Sequence, residues 1–344
     1  MTQHPTSLPS SISERTTATA RHTSFYLTAG DPQNTPVIFV HGWPELSLSW
    51  RHQLPYVADL GYFAVAPDMR GYGKSGVYDR HEDYALREIV ADMIELADAL
   101  EIDKAIWVGH DWGAPVVWSI ARHHSDRCIA VANLCVPYDT LERGWDGMLP
   151  YIDRDIYPEE QYPAGQWEYQ RYYEEHFAEA TAAFDSDPQR VARLLFRAGD
   201  PGGLGQVAGT ALTRQNNGWF GGGEVPDLPR DASVISEEDL QVYAEALGRN
   251  SFFGPDSYYM NHERNAQFAA EAGSDRLAMP VLFLHGRYDY TCETMKSSAA
   301  QPMREKCERL TEVVVDSGHW MAQEKPQEVN RHLQAWLGSL DGIR

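Results

Sequence analysis

Long apolar runs are missing from this 344-residue chain. No stretch approaches the roughly 18 apolar residues that a membrane-spanning helix needs, so no membrane span is expected. Positive charge is scarce as well. Lysine and arginine number 29 against 50 aspartates and glutamates, and the net charge of −21 disfavours a nucleic-acid or anionic-membrane partner. Cysteine is sparse, and Cys128, Cys135, Cys292 and Cys307 show neither metal nor redox spacing. Free thiols in a reducing, cytoplasmic setting are therefore expected, with no metal. Residues 1–20 are Ser/Thr-rich, without the apolar centre of a secretion signal, and read as a disordered tail. Internal repeats and long low-complexity segments are absent too.

One further absence decides the chemistry. Val108-Gly109-His110-Asp111-Trp112-Gly113 lies between an apolar strand-like run, Ala105–Val108, and a helix-like run, Ala114–Ala121, with proline in its first turn. Gly-x-Asp-x-Gly has the spacing of a nucleophile elbow, in which a reactive side chain sits on strained backbone between small neighbours. Serine is the usual centre of that turn; here it is Asp111. A carboxylate attacks saturated carbon and leaves an alkyl ester that water can cleave. Serine doing the same would leave an inert ether. Asp111 thus points to epoxide opening or halide loss, against the plainer reading of a helix N-cap.

Pro36–Val40 and Tyr62–Ala66 read as strands buried on both faces, and Arg87–Leu100 has helical spacing. Cys128–Val136, Pro280–Leu284 and Thr311–Val315 are further strands, and a last helix runs from Pro326 to about Leu340. This rhythm predicts a doubly wound, mostly parallel sheet with its site at the carboxyl ends of the strands, the frame of the α/β-hydrolase fold that the order of the site residues below indicates. The alternation stops between 138 and 275, where ten of the eighteen tyrosines fall. Helices are expected there over Gln166–Ala182, Pro188–Ala198, Ser236–Leu247 and Asp256–Ala272, the third with a capping box at Ser236 and Asp239. Residues 138–275 read as an inserted helical lid, and 21–137 with 276–344 as the core.

Asp111, Asp289 and His319 follow one another in the order nucleophile, acid, histidine, each after a predicted strand. His319 would take a proton from water while Asp289 fixes its tautomer. His41-Gly42-Trp43-Pro44 offers a loop whose Trp43 backbone N–H, with that of Trp112, would stabilise the oxyanion formed on the ester. His41 itself reads as structural.

His-Gly-Trp-Pro-Glu at 41–45, Gly-His-Asp-Trp-Gly at 109–113, Asp-Ser-Gly-His-Trp at 316–320 and Lys325-Pro326-x-Glu328-Val329-Asn330 make the resemblance specific. From about Thr23 onward the chain resembles the hydrolase domain of soluble epoxide hydrolases. That resemblance implies Asp111 as nucleophile, with His319 and Asp289 activating water. It also implies two lid tyrosines that donate to the epoxide oxygen. Tyr169-Gln170-Arg171-Tyr172 and Tyr259-Met260-Asn261-His262-Glu263-Arg264-Asn265 match the family's segments, which carries the role to Tyr169 and Tyr259. A phenol of pKa about 10 can assist an alkoxide leaving group while staying protonated at neutral pH. Tyr172, Tyr173 and Tyr258 are neighbours that could take those places. Trp43 stands where the family commonly has phenylalanine, a change expected to matter little because the backbone does the work.

The resemblance implies no organic cofactor or metal, a small hydrophobic epoxide with water as substrates, and leaves a homo-oligomer open. Lid aromatics such as Trp145, Trp167, Trp219 and Phe220 suggest an apolar pocket. Rival readings weaken on single residues. Haloalkane dehalogenases usually carry asparagine where Trp43 stands, and fluoroacetate dehalogenases an arginine where Trp112 stands. A serine esterase lacks its nucleophile. A non-catalytic hydrolase-fold receptor for a small ligand would have no need of all five side chains.

Overall fold

The computed structural model describes residues 8–340. Eight strands form one sheet: β1 (Ser13–Ala18), β2 (Thr23–Ala29), β3 (Pro36–Val40), β4 (Phe63–Pro67), β5 (Ala105–His110), β6 (Cys128–Leu134), β7 (Leu277–Gly286) and β8 (Cys307–Val315). Their spatial order is β1-β2-β4-β3-β5-β6-β7-β8. β1 and β2 pair antiparallel, as do β2 and β4; every other pairing is parallel.

Helices α1 (Gln53–Asp59), α2 (Leu86–Ala99) and α3 (Gly113–His123) belong to the first half of the core. Between β6 and β7 come α4 (Trp145–Met148), α5 (Glu168–Asp185), α6 (Pro188–Leu195), α7 (Glu237–Asn250), α8 (Phe253–Ser257) and α9 (His262–Ala270), with no strand among the described residues there. α10 (Gln301–Lys306), α11 (Met321–Glu324) and α12 (Pro326–Ser339) complete the chain. The alternation of the strands shows in the two cores. In β3, Ile38 and Val40 join the cluster that runs through α2, α3 and the insertion. Val37 and Phe39 join the opposite cluster with Leu54 and Val57 of α1 and Leu333 and Trp336 of α12. Helices on both faces explain why the central strands are continuously apolar.

Ser236 caps the start of α7, its Oγ accepting the Asp239 N–H at 3.0 Å. Two expectations differ from the structure. Residues 13–18, read as part of a disordered tail, form edge strand β1, paired along its length with β2. The sequence SERTTA offers no apolar face; backbone pairing orders it, helped by a 3.1 Å contact of Thr17 Oγ1 with the Tyr26 hydroxyl and a 2.7 Å ion pair of Glu14 with Lys74. Residues 1–7 of that tail lie outside the described residues. The helix expected over Asp256–Ala272 is broken into α8, a 3₁₀ turn at Tyr258–Met260 and α9. Asn261 leaves helical geometry at φ −120, ψ 20. Its side-chain amide instead donates to the carbonyls of His81 and Ser257 at 2.7 and 2.9 Å.

Candidate active site

Asp111 links the end of β5 to α3 and sits at φ +48, a left-handed conformation that costs energy in any residue with a Cβ. Both elbow glycines are forced by close approach. A Cβ at Gly109 would lie 2.6 Å from the Gly113 carbonyl oxygen, and one at Gly113 would lie 2.8 Å from that of His41. At Gly42 a Cβ would fall onto the Asp111 side chain itself.

That crowding places the carboxylate between two partners. The Trp43 amide donates to Asp111 Oδ1 at 2.6 Å, and His319 Nε2 stands 3.4 Å from Oδ2. Among the described residues the Trp112 amide makes no hydrogen bond to this carboxylate; Trp112 stands at the start of α3. His319 Nδ1 meets Asp289 Oδ2 at 2.8 Å, while Asp289 Oδ1 accepts the Thr291 and Cys292 amides at 3.2 and 3.0 Å. Burial alone would raise the Asp289 carboxyl; the His319 charge and hydrogen bond outweigh it and hold the group at about 2. Burial would conversely lower His319, but Asp289 and Asp111 together lift it well above the usual histidine range.

A buried pair that sequence reasoning passed over braces this arrangement. Glu45 Oε2 accepts the Gly42 amide at 2.9 Å and contacts His110 Nδ1 at 2.7 Å. His110 Nε2 reaches the His319 carbonyl at 2.8 Å, so one ion pair ties the elbow to two loops. The only signal was an acid inside the His-Gly-Trp-Pro-Glu motif. His41 is a structural contact, its Nε2 accepting the Met69 amide at 2.9 Å.

The insertion supplies phenols. Tyr169, at the start of α5, lines one cavity with Asp111, Met148, Trp167 and Cys292. Its ring stands edge-on to Tyr259, with centroids 5.4 Å apart, and Tyr259 in turn packs at 5.3 Å on Trp112. Burial pushes both phenols above their ordinary range, helped at Tyr169 by the charge of Asp111 and at Tyr259 by Tyr169 and then Asp111. The Tyr169 oxygen accepts Gln170 Nε2 at 3.0 Å, and Gln170 Oε1 is held by His262 at 2.7 Å. The neighbouring tyrosines face elsewhere: Tyr258 donates to the Arg70 carbonyl at 2.9 Å and Tyr172 to that of Asn217 at 3.5 Å. Tyr173 is stacked behind Tyr259. Of the lid aromatics, Trp167 lines the cavity, whereas Trp219 stacks on Trp43, Trp145 on His262, and Phe220 packs edge-on to Phe184.

Trp43 also makes a side-chain contact that the sequence reading did not weigh. Its indole Nε1–H donates to the buried carboxylate of Asp256 at 2.9 Å, while its backbone amide faces Asp111. Two groups have donor types suited to a metal, His110–Cys135–His319 and Asp289–Cys292–His319. Both depend on His319, whose nitrogens already face Asp289 and Asp111.

A nucleophile-elbow aspartate facing a histidine–aspartate pair under buried phenols invites comparison with known proteins. The family model described as alpha/beta hydrolase fold matches residues 35–326. Epoxide hydrolase A of Mycobacterium tuberculosis is 35% identical over 320 residues, which cover 91% of this chain and 93% of that one. The chain belongs to the epoxide hydrolases of the α/β-hydrolase fold. Among other epoxide hydrolases, the crystal structure of Epoxide Hydrolase A from Mycobacterium thermoresistibile superposes with a TM-score of 0.78 at 31% identity, covering 95% of this chain and 98% of that one. Bifunctional epoxide hydrolase 2 of Sus scrofa is 31% identical over 302 residues, covering 88% of this chain and 51% of its own length. No helix among the described residues is long and apolar enough to cross a membrane.

Proposed function

We propose that this epoxide hydrolase converts a small hydrophobic epoxide to a vicinal diol through an ester on Asp111, beneath a lid formed by residues 138–275. The observation that carries the reading is one carboxylate held between the Trp43 amide and His319 Nε2, sharing its cavity with Tyr169. In the first step an Asp111 oxygen attacks an epoxide carbon and the C–O bond breaks. Tyr169 and Tyr259 hydrogen-bond the departing oxygen and one of them gives it a proton; their raised pKa values keep both phenols protonated beforehand. In the second step His319 takes a proton from water, and the resulting hydroxide attacks the Asp111 carbonyl. The Trp43 and Trp112 amides are the donors for the oxyanion, and its collapse expels the diol; of the two protons of the water consumed, one completes the diol and the other restores the phenol, leaving His319 neutral and Asp111 a carboxylate. Asp289 holds Nδ1–H and supports the imidazolium.

The testing experiment offers aryl and alkyl epoxides and terminal haloalkanes to the wild type and to the Tyr169→Phe/Tyr259→Phe double variant. Diol from the wild type, with diol formation lost in the folded double variant, is expected. Halide release without diol would overturn the reading in favour of a dehalogenase, and a substrate-independent small-ligand affinity without turnover in favour of a receptor.

A further inference from the structure

Outside this set lies a buried acid that the proposed chemistry does not use. Asp256, on α8, is fully buried. Its Oδ1 accepts the Trp43 indole N–H at 2.9 Å, and its Oδ2 is 2.9 Å from the Thr181 hydroxyl on α5. Trp43 is the same residue whose amide donates to Asp111 Oδ1 at 2.6 Å. The Gly42–Trp43 peptide is therefore held at both ends: its N–H points at the nucleophile, and the side chain of the same residue is anchored in the insertion. Around the indole, Phe184, Trp219, Phe252 and Tyr259 pack with centroids 5.4–6.4 Å away, and the acceptor that its N–H meets is Asp256.

We infer that Asp256 is a positioning residue for ester hydrolysis: by fixing the Trp43 indole it aims the Trp43 amide at the oxyanion that forms on Asp111. The inference rests on the aspartyl-ester reading above. Oxyanion donors work only when held within tenths of an ångström of the charge that develops, and the supporting contacts set that precision. Phenylalanine at position 43 would fill the same space with no N–H to hold. Burial pushes the Asp256 carboxyl up to about 8, although the side chains of Trp43, Thr181 and Tyr173 oppose it. At neutral pH the group is thus mainly an uncharged acid whose work is hydrogen bonding. An asparagine keeps the acceptor for the indole, and its amide still meets the Thr181 hydroxyl, with the donor now on the asparagine side. A leucine leaves both the indole N–H and the hydroxyl unpaired.

The two chemical steps should respond differently. In the resting enzyme the Trp43 amide occupies a lone pair of the attacking carboxylate, so loosening it takes little from alkylation. In the second step the same amide meets a forming oxyanion, where its hydrogen bond strengthens. Single-turnover rapid quench, with mass analysis of the Asp111 peptide, reads both rates per active site. In Trp43→Phe and Asp256→Leu, ester hydrolysis is expected to slow at least tenfold and alkylation less than threefold, so that the ester accumulates. Asp256→Asn should stay within threefold of wild type in both steps, and the Trp43→Phe/Asp256→Leu double variant should be no slower than the worse single.

Equal slowing of both steps, or a loss of active sites with unchanged rates per site, would reduce Asp256 to a packing residue. Asp256→Asn as impaired as Asp256→Leu would also overturn the inference. Should Asp256→Leu fail to fold, Trp43→Phe still decides. An ester seen in the His319→Gln variant together with unaltered Trp43→Phe rates would refute the positioning role alone. No ester on Asp111 in any variant would refute the underlying mechanism and the inference with it.

Discussion

Replacing Glu45 by glutamine removes one charge from the most deeply buried ion pair near the site and almost nothing else. Both Glu45 and His110 are 2% exposed. Burial would raise the Glu45 carboxyl, yet His110 brings it from its ordinary 4.5 to about 2. At about 1.4 kcal/mol per unit, that difference amounts to about 3 kcal/mol of folding stability. The same attraction raises His110, so it is counted once. The sign follows from the direction of the shift. The contribution of Glu45 is fully present above its unfolded value of 4.5 and is lost as pH falls through about 2. At pH 7 Glu45→Gln, which resembles the protonated acid, should lose about 3 kcal/mol, and less to the extent that His110 escapes by releasing its proton. Urea unfolding at pH 7 measures the loss, and the imidazole nitrogen shifts of His110 report its charge. Because His110 also holds the His319 carbonyl at 2.8 Å, turnover should fall as well. A variant within about 0.5 kcal/mol of wild type whose His110 stays protonated would refute the argument, since a charge buried without its partner should cost several times that.

Three further outcomes follow from the geometry. His319→Gln should form the ester but not cleave it, so the Asp111 peptide gains the mass of the epoxide; in wild type, hydrolysis of that ester should quicken as pH rises and His319 loses its proton, and a flat profile would count against His319 as base. Gly42→Ala sets a Cβ on the Asp111 side chain and should abolish turnover in a protein that still folds, which circular dichroism and active-site titration distinguish. Tyr172→Phe should leave turnover within about twofold, because its hydroxyl reaches only the Asn217 carbonyl at 3.5 Å, whereas Tyr169→Phe should cost about a hundredfold or more. Equal effects at the two positions would undo the choice of Tyr169.

The central strands were legible because burial on both faces leaves a continuous apolar run, and β3 falls at Pro36–Val40 in sequence and structure alike; β2, buried but interrupted by Ser24 and Thr28, was not legible as a strand. The elbow could be read for a related reason. Gly109, Gly113 and Gly42 stand where a Cβ would strike backbone or the Asp111 side chain, so local sterics write themselves into the sequence. The order of Asp111, Asp289 and His319 at strand ends could likewise be read, since a parallel sheet brings its carboxyl ends to one edge. β1 could not, because an exposed edge strand takes its order from pairing with β2 and shows no apolar face. The break at Asn261 depends on carbonyls of His81 and Ser257, one of them remote in the chain.

Tertiary structure alone decided which groups meet. Glu45 and His110 are 65 positions apart and Trp43 and Asp256 are 213 apart, and no periodicity announces either pair. Nor does composition distinguish Tyr169 from Tyr172, whose hydroxyls part company only when α5 is laid over the sheet. Local conformation and side-chain alternation are set by neighbours along the chain, and these the sequence determined by itself. The partners of buried polar groups are set by whichever surfaces the packed lid and core press together, because each such group must find a hydrogen bond wherever folding places it.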